Sequence, residues 1–131
     1  MKKILIVDDQ PHVSLILKQF LERAGYSVNT ALNGEQALAS IAEQMPDVLI
    51  TDVQMPKMSG IELCETIASR YPELCQLIIM MTSRTDRDIR VWAESHGHIL
   101  LMEKPLSMRR LAAQMSHHFE SLDNLAYESK T

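Results

Sequence analysis

The sequence predicts an α/β fold: one parallel sheet of five strands, doubly wound with five helices. Two observations carry that prediction. Short apolar runs alternate with segments whose apolar residues recur at the helical spacing of three and four. Four of the five runs are almost wholly apolar, as strands covered on both faces must be, whereas Ser27–Ala31 alternates polar with apolar and belongs at an edge. At 131 residues the chain makes one domain, long enough to bury a core without disulfides or a structural metal.

The expected strands are Lys3–Val7, Ser27–Ala31, Val48–Thr51, Leu77–Met81 and Ile99–Met102. Pro11 suits a first helical turn, and Val13, Ile16, Leu17, Phe20, Leu21 and Ala24 form one apolar face that Gly25 stops. Asn33-Gly34 reads as a turn before a second face of Ala37, Leu38, Ile41 and Ala42. A third helix carries Ile61, Cys64, Ile67 and Ala68 and ends near Tyr71-Pro72. A fourth runs from Asp86 to His96 on Ile89, Trp92, Ala93 and His96, with Gly97 after it. The fifth uses Met108, Leu111, Ala112, Met115, Phe119 and Leu122. From about Asp123 the chain turns polar and is expected to fray, so the domain is set at residues 1–122, with 123–131 a tail or the start of a linker.

Composition excludes several functions. A formal charge of −4 gives no basic stripe for direct nucleic-acid binding by this segment. The apolar run Ile4–Val7 is cut by Asp8 and Asp9, too short for a signal core or a membrane span. Cys64 and Cys75 have no metal-ligand spacing and read as reduced, structural thiols. A cytoplasmic protein is expected.

Right-handed crossovers restrict how such units assemble. The order 2-1-3-4-5 is the known flavodoxin-like arrangement of doubly wound sheets rather than one derived from these residues. It sets the first strand beside the third. The ends of the first strand (Asp8, Asp9), the third (Asp52), the fourth (Thr82) and the fifth (Lys104) then meet at one edge. Asp52 alone would read as a polar residue ending a strand. Three converging carboxylates repel one another unless a hard cation relieves them, and Mg²⁺ takes such oxygen ligands together with phosphate oxygens. Lys104 adds a mobile ammonium that can pair with Asp52 or a phosphoryl oxygen, and Thr82 adds a hydroxyl donor. The set suits phosphoryl transfer to Asp52, a carboxylate nucleophile that needs no general base.

On these residues the chain resembles the receiver domain of two-component response regulators over about residues 2–122. The likeness rests on Asp8-Asp9 after Ile-Leu-Ile-Val, Asp52 after Val-Leu-Ile-Thr, Met55-Pro56 with Gly60 beyond, Thr82 after Ile-Ile-Met-Met, and Lys104-Pro105. The spacings fit as well, 30 positions from Asp52 to Thr82 and 22 more to Lys104. The resemblance implies that Asp52 takes a phosphoryl group from a phosphohistidine of a sensor histidine kinase or a histidine phosphotransfer protein. It implies Mg²⁺ on Asp9 and Asp52 directly, on Asp8 through water, and on the backbone carbonyl of Gln54. Thr82 and Lys104 would hold phosphoryl oxygens, the Lys104-Pro105 bond would be cis, and the domain would hydrolyse its own aspartyl phosphate. Signalling would pass to a downstream protein partner or a linked output domain, and a phosphorylation-dependent homodimer is compatible with it. The chain is then either a stand-alone receiver or the N-terminal part of a larger transcriptional or enzymatic regulator.

The chain departs from the family pattern in three respects. Leu101 stands where an aromatic residue usually relays phosphorylation outward. Ser83 follows Thr82 where Ala or Gly is common. Gln54 and Arg84 carry long side chains at the flank where an attacking water should arrive. The rival reading is an Asp-nucleophile phosphatase, which needs an acid two residues after the nucleophile; Gln54 stands there. A nucleotide-binding domain lacks any Gly-rich phosphate loop here. Elsewhere, His12 reads as an exposed helix residue, Trp92 as a core or half-buried helix residue, and the nine methionines as core filler. Arg109, Arg110, His117 and His118 make either a partner-binding or a solvated face.

Overall fold

The computed structural model describes residues 1–72, 77–83 and 87–122, and the backbone alone of 123–130. Cys75, Arg84 and Asp86, which carried expectations above, lie outside the described residues. The elements alternate along the chain: β1 Lys3–Val7, α1 Pro11–Arg23, β2 Ser27–Ala31, α2 Gly34–Glu43, β3 Val48–Asp52, α3 Gly60–Arg70, β4 Leu77–Thr82, α4 Arg87–Glu94, β5 Ile99–Glu103 and α5 Met108–Lys130. The strands form one sheet in the order β2-β1-β3-β4-β5, and every pairing is parallel. The alternating strand β2 is an edge, as its pattern required.

Two apolar layers sandwich the sheet, and successive strand residues supply them in turn. Ile4, Ile6, Val48, Ile50, Ile79 and Met81 pack with Leu17 and Leu21 of α1 and with Leu111, Met115 and Phe119 of α5. Leu5, Val7, Leu49, Ile78 and Met80 pack with Ala37 and Ile41 of α2 and with Leu63, Cys64 and Ile67 of α3. Each fully buried Leu or Ile contributes about 2 kcal/mol by leaving water. Ile89 and Trp92 of α4 are half-buried against the second layer.

Several helices differ in detail from their predicted faces. On α1 the buried line is Ser14, Leu17 and Leu21, while Ile16 is 55% exposed. Residues at i, i+3 and i+7 sit at the centre of the face, so Val13 and Phe20 flank it and Ile16 falls on its rim. Asn33-Gly34 is a helix start rather than a turn before one. Asn33 caps α2 by accepting from the Gln36 N–H, and Gly34 is the first helical residue. Gly34 is also buried, and a Cβ there would overlap the Met58 side chain. Leu63 joins the buried face of α3, whereas Ala68 is exposed. α4 stops at Glu94, and the Ser95 hydroxyl and His96 Nδ1 both turn back to the Trp92 carbonyl, at 2.7 Å each. α5 continues helical through Lys130, past the polar transition at Asp123. Among the described residues no helix is long and apolar enough to cross a membrane.

Candidate functional site

Strand order and strand alternation together build the site. β1 and β3 are neighbours, in register from Ile4 with Val48 to Val7 with Thr51. Asp8 continues the alternation of Ile4 and Ile6, and Asp52 that of Val48 and Ile50, so both carboxylates fall on the α1–α5 side of the sheet. Asp8 is fully buried, Asp52 is 8% exposed, and Asp9 is open to solvent. One carboxylate oxygen from each of Asp8, Asp9 and Asp52 lies within 4.8 Å of the others.

Lys104 bridges two of these groups. Its Nζ donates to Asp8 Oδ2 at 3.0 Å and to Asp52 Oδ2 at 3.2 Å. The backbone brings it there: the Lys104 N–H donates to the Thr82 carbonyl at 2.7 Å, tying the end of β5 to the end of β4. The Lys104–Pro105 bond is cis. The Thr82 side chain is buried at the end of β4, which pairs with β3 as far as Met81 opposite Asp52.

Both buried carboxylates also accept from the backbone two residues on. The Gln10 N–H donates to Asp8 Oδ1 at 2.9 Å, and the Gln54 N–H reaches Asp52 Oδ1 at 3.4 Å. These are Asx-type turns, and the pattern of Asp followed by loop residues is the signal that would have disclosed them. Burial raises the Asp52 pKa above the ordinary carboxylate value; the Lys104 ammonium opposes that rise and the charge of Asp8 adds to it. For Lys104, desolvation acts to lower the pKa, but its hydrogen bonds and attraction to Asp8 and Asp52 outweigh it, and the net direction is upward.

The loop from Val53 to Ser59 closes over this edge. Gly60 donates its N–H to the Val53 carbonyl at 2.8 Å. A side chain at Gly60 would overlap the backbone oxygen of Asp52, so the loop closes only with glycine there. Lys57 takes a positive φ of 69° within the same loop, which nothing in its residue type announced. Beside Lys104 a groove of about 380 Å³ opens between Val13, Ile16 and Leu17 of α1 and the segment Pro105, Leu106 and Met108.

The remaining sequence candidates are scattered. Ser83 and Pro105 are exposed next to Thr82 and Lys104. Leu101 is half-buried on β5, packed against the second apolar layer and paired with Met80. His12, Arg109, Arg110 and His117 are exposed, while His118 is half-buried with a buried Nε2 that has no partner among the described residues.

A five-stranded parallel sheet with three carboxylates, a threonine and a lysine at one edge defines a class. Residues 4–116 match the response regulator receiver domain, and the chain belongs to that family of phospho-accepting switches of two-component systems. Such domains are regulatory rather than free-standing enzymes. Among its relatives, the alkaline phosphatase synthesis transcriptional regulatory protein PhoP of Bacillus subtilis is 38% identical over 114 residues, covering 87% of this chain and 47% of that one. The DNA-binding transcriptional regulator NtrC of Salmonella typhimurium is 34% identical over 121 residues, covering 89% of this chain and 25% of that one. Among solved structures, chemotaxis protein CheY4 of Vibrio cholerae superposes with a TM-score of 0.80 at 31% identity, covering 89% of this chain and 98% of that one. The chain thus spans about half the length of PhoP or less of the curated relatives named, and nearly all of the chemotaxis protein.

Proposed function

We propose that Asp52 is the residue that accepts the phosphoryl group, from a phosphohistidine on a sensor histidine kinase or a histidine phosphotransfer protein. A carboxylate oxygen of Asp52 attacks phosphorus, the P–N bond breaks, and the imidazole leaves with the electron pair. The observation that carries this reading is the bridge of Lys104 to Asp8 and Asp52, with Asp9 beside them. With all groups ionised, three carboxylates against one ammonium leave two negative charges, matched by one divalent cation.

The donor set fits Mg²⁺, since every ligand is a hard oxygen. Asp9 and Asp52 would hold it directly, with the Gln54 backbone carbonyl. Asp8, whose oxygens accept from the Gln10 N–H and the Lys104 ammonium, would act through water. When bound, the ion supplies neutralisation of the charge that accumulates on the transferring oxygens. Lys104 is anchored within reach of Asp52 Oδ2 and transfers its hydrogen bond to a phosphoryl oxygen once Asp52 is modified. Thr82 offers the buried hydroxyl at the adjacent strand end. Ser83, with Gln54, flanks the route of the water that returns Asp52 to its free state.

The apolar groove between α1 and Pro105–Met108 gives a phosphodonor protein a surface beside the site. The output is a change in affinity for a protein partner or a linked output domain, transmitted without an aromatic relay because Leu101 stands at that position. Incubation with a small phosphodonor and Mg²⁺, followed by intact mass, tests the acceptor. Wild type gains one phosphoryl mass, a chelator abolishes the gain, and Asp52→Asn shows none. An equal adduct on Asp52→Asn contradicts the reading.

A further inference from the structure

The last residue of β3 has a backbone acceptor that the sheet does not serve. Pairing between β1 and β3 ends at Val7 with Thr51, one residue before Asp52. The Val53 N–H donates to Met81 of β4 at 2.9 Å. Alternate residues of a parallel strand bond to opposite neighbours, so the Asp52 carbonyl faces the β1 side, beyond the last pair. The hydroxyl of Thr51 donates to that carbonyl at 3.1 Å. Thr51 is fully buried on the opposite face of the strand from Asp52, in line with Leu49 and Val53. Gly60 also approaches the same oxygen, so closely that no Cβ fits. The peptide that carries the Asp52 side chain onward therefore meets both a hydroxyl and a glycine.

We propose that Thr51 is a positioning residue for phosphorylation: its hydroxyl fixes the Asp52 peptide, and through it the direction in which the carboxylate meets Lys104 and the incoming phosphorus. A buried acceptor at a strand end needs a donor, and one left without a partner turns its peptide toward another. Rotation of that peptide moves the carboxylate off the line of attack, and displacements of about 1 Å at a reacting group cost up to about a hundredfold in rate. The inference rests on the reading of Asp52 as the acceptor.

The test compares wild type, Thr51→Val, Thr51→Ser and Asp52→Asn, each with phosphoramidate and Mg²⁺, following the rate of mass gain. Thermal melts of the same samples report folding separately. Thr51→Val keeps the branched shape and loses the hydroxyl, so it is expected to melt as a folded protein and to phosphorylate about tenfold more slowly. Thr51→Ser keeps the hydroxyl and is expected to return the rate to near that of wild type. A purely structural role would leave the rate unmoved in folded Thr51→Val, and that result overturns the assignment. So does a Thr51→Ser protein as slow as Thr51→Val. If Thr51→Val does not fold, Thr51→Ala takes its place, and a wild-type rate in that folded variant overturns the assignment equally. Failure of wild type itself to gain mass contradicts the acceptor reading instead.

Discussion

Lys104 stands between Asp8 and Asp52, its ammonium 3.0 Å from one carboxylate and 3.2 Å from the other. The two acids come from separate strand ends and would face each other unscreened without it. Replacing it with methionine keeps most of the length of the side chain and removes the charge. The buried acids then lose a charged partner, a loss that costs about 2–3 kcal/mol in partly buried settings. Urea unfolding without Mg²⁺ should show Lys104→Met destabilised by that amount, and phosphorylation of the folded variant should be slowed at least about tenfold.

Mg²⁺ should stabilise the domain. Binding only to the folded state at a concentration ten times the dissociation constant adds about 1.4 kcal/mol. Asp9 is exposed and contributes little to the core, so Asp9→Ala should leave the metal-free melting temperature near wild type and abolish most of the rise with Mg²⁺. Melts with and without the ion check this, and a full Mg²⁺ response in Asp9→Ala would remove it from the ligand set.

Asp52 gives the metal-free domain a definite pH signature. Its pKa is raised in the folded state above the ordinary carboxylate value of 3.8, chiefly by burial. As pH rises from 3.8 the unfolded chain ionises first, and the folded state binds the extra proton. The contribution of Asp52 to stability therefore falls through the window that begins at 3.8 and ends at the raised folded value. Asp52→Asn removes that loss. It should be more stable than wild type at neutral pH without Mg²⁺, with the difference shrinking as pH falls toward 3.8, measured by urea melts across that range.

Gly60→Ala should be damaging although the change is one methyl group. The added Cβ overlaps backbone, the carbonyl of Asp52 and the Cα of Val53, and backbone cannot swing aside as a side chain can. About 2–3 kcal/mol of destabilisation is expected from such overpacking, together with slower phosphorylation of the folded fraction. At Gly34 the obstacle is the Met58 side chain, so Gly34→Ala should cost less than Gly60→Ala.

Much of this molecule was legible in the sequence because burial on two faces leaves a plain mark. Val48–Ile50 and Ile78–Met80 admit no polar residue, and the mixed pattern of Ser27–Ala31 marks the sheet edge. Three strands run one residue past their expected ends, to Asp52, Thr82 and Glu103, because backbone pairing continues after the side chain turns polar. Polarity therefore marks the ends of burial better than the ends of pairing. The site was legible in outline for the same reason: Asp8, Asp52, Thr82 and Lys104 each lie within two residues of the end of such a run.

The details that were missed depend on backbone. The tie between Lys104 and Thr82 uses no side chain from the strand, and the hold of Thr51 on Asp52 looks in sequence like any threonine in a strand. Ile16 looked like core and lies on a groove rim, since the helical period fixes a face and not its centre.

The central claim is that Asp52, among all carboxylates of the chain, carries the phosphoryl group. An aspartyl phosphate is an acyl phosphate, which borohydride reduces to homoserine. Phosphorylation with a small donor and Mg²⁺, reduction, and peptide mapping by mass should convert position 52 to homoserine and leave Asp8 and Asp9 unchanged. Homoserine at another position, or none in protein that has gained the phosphoryl mass, would contradict the account.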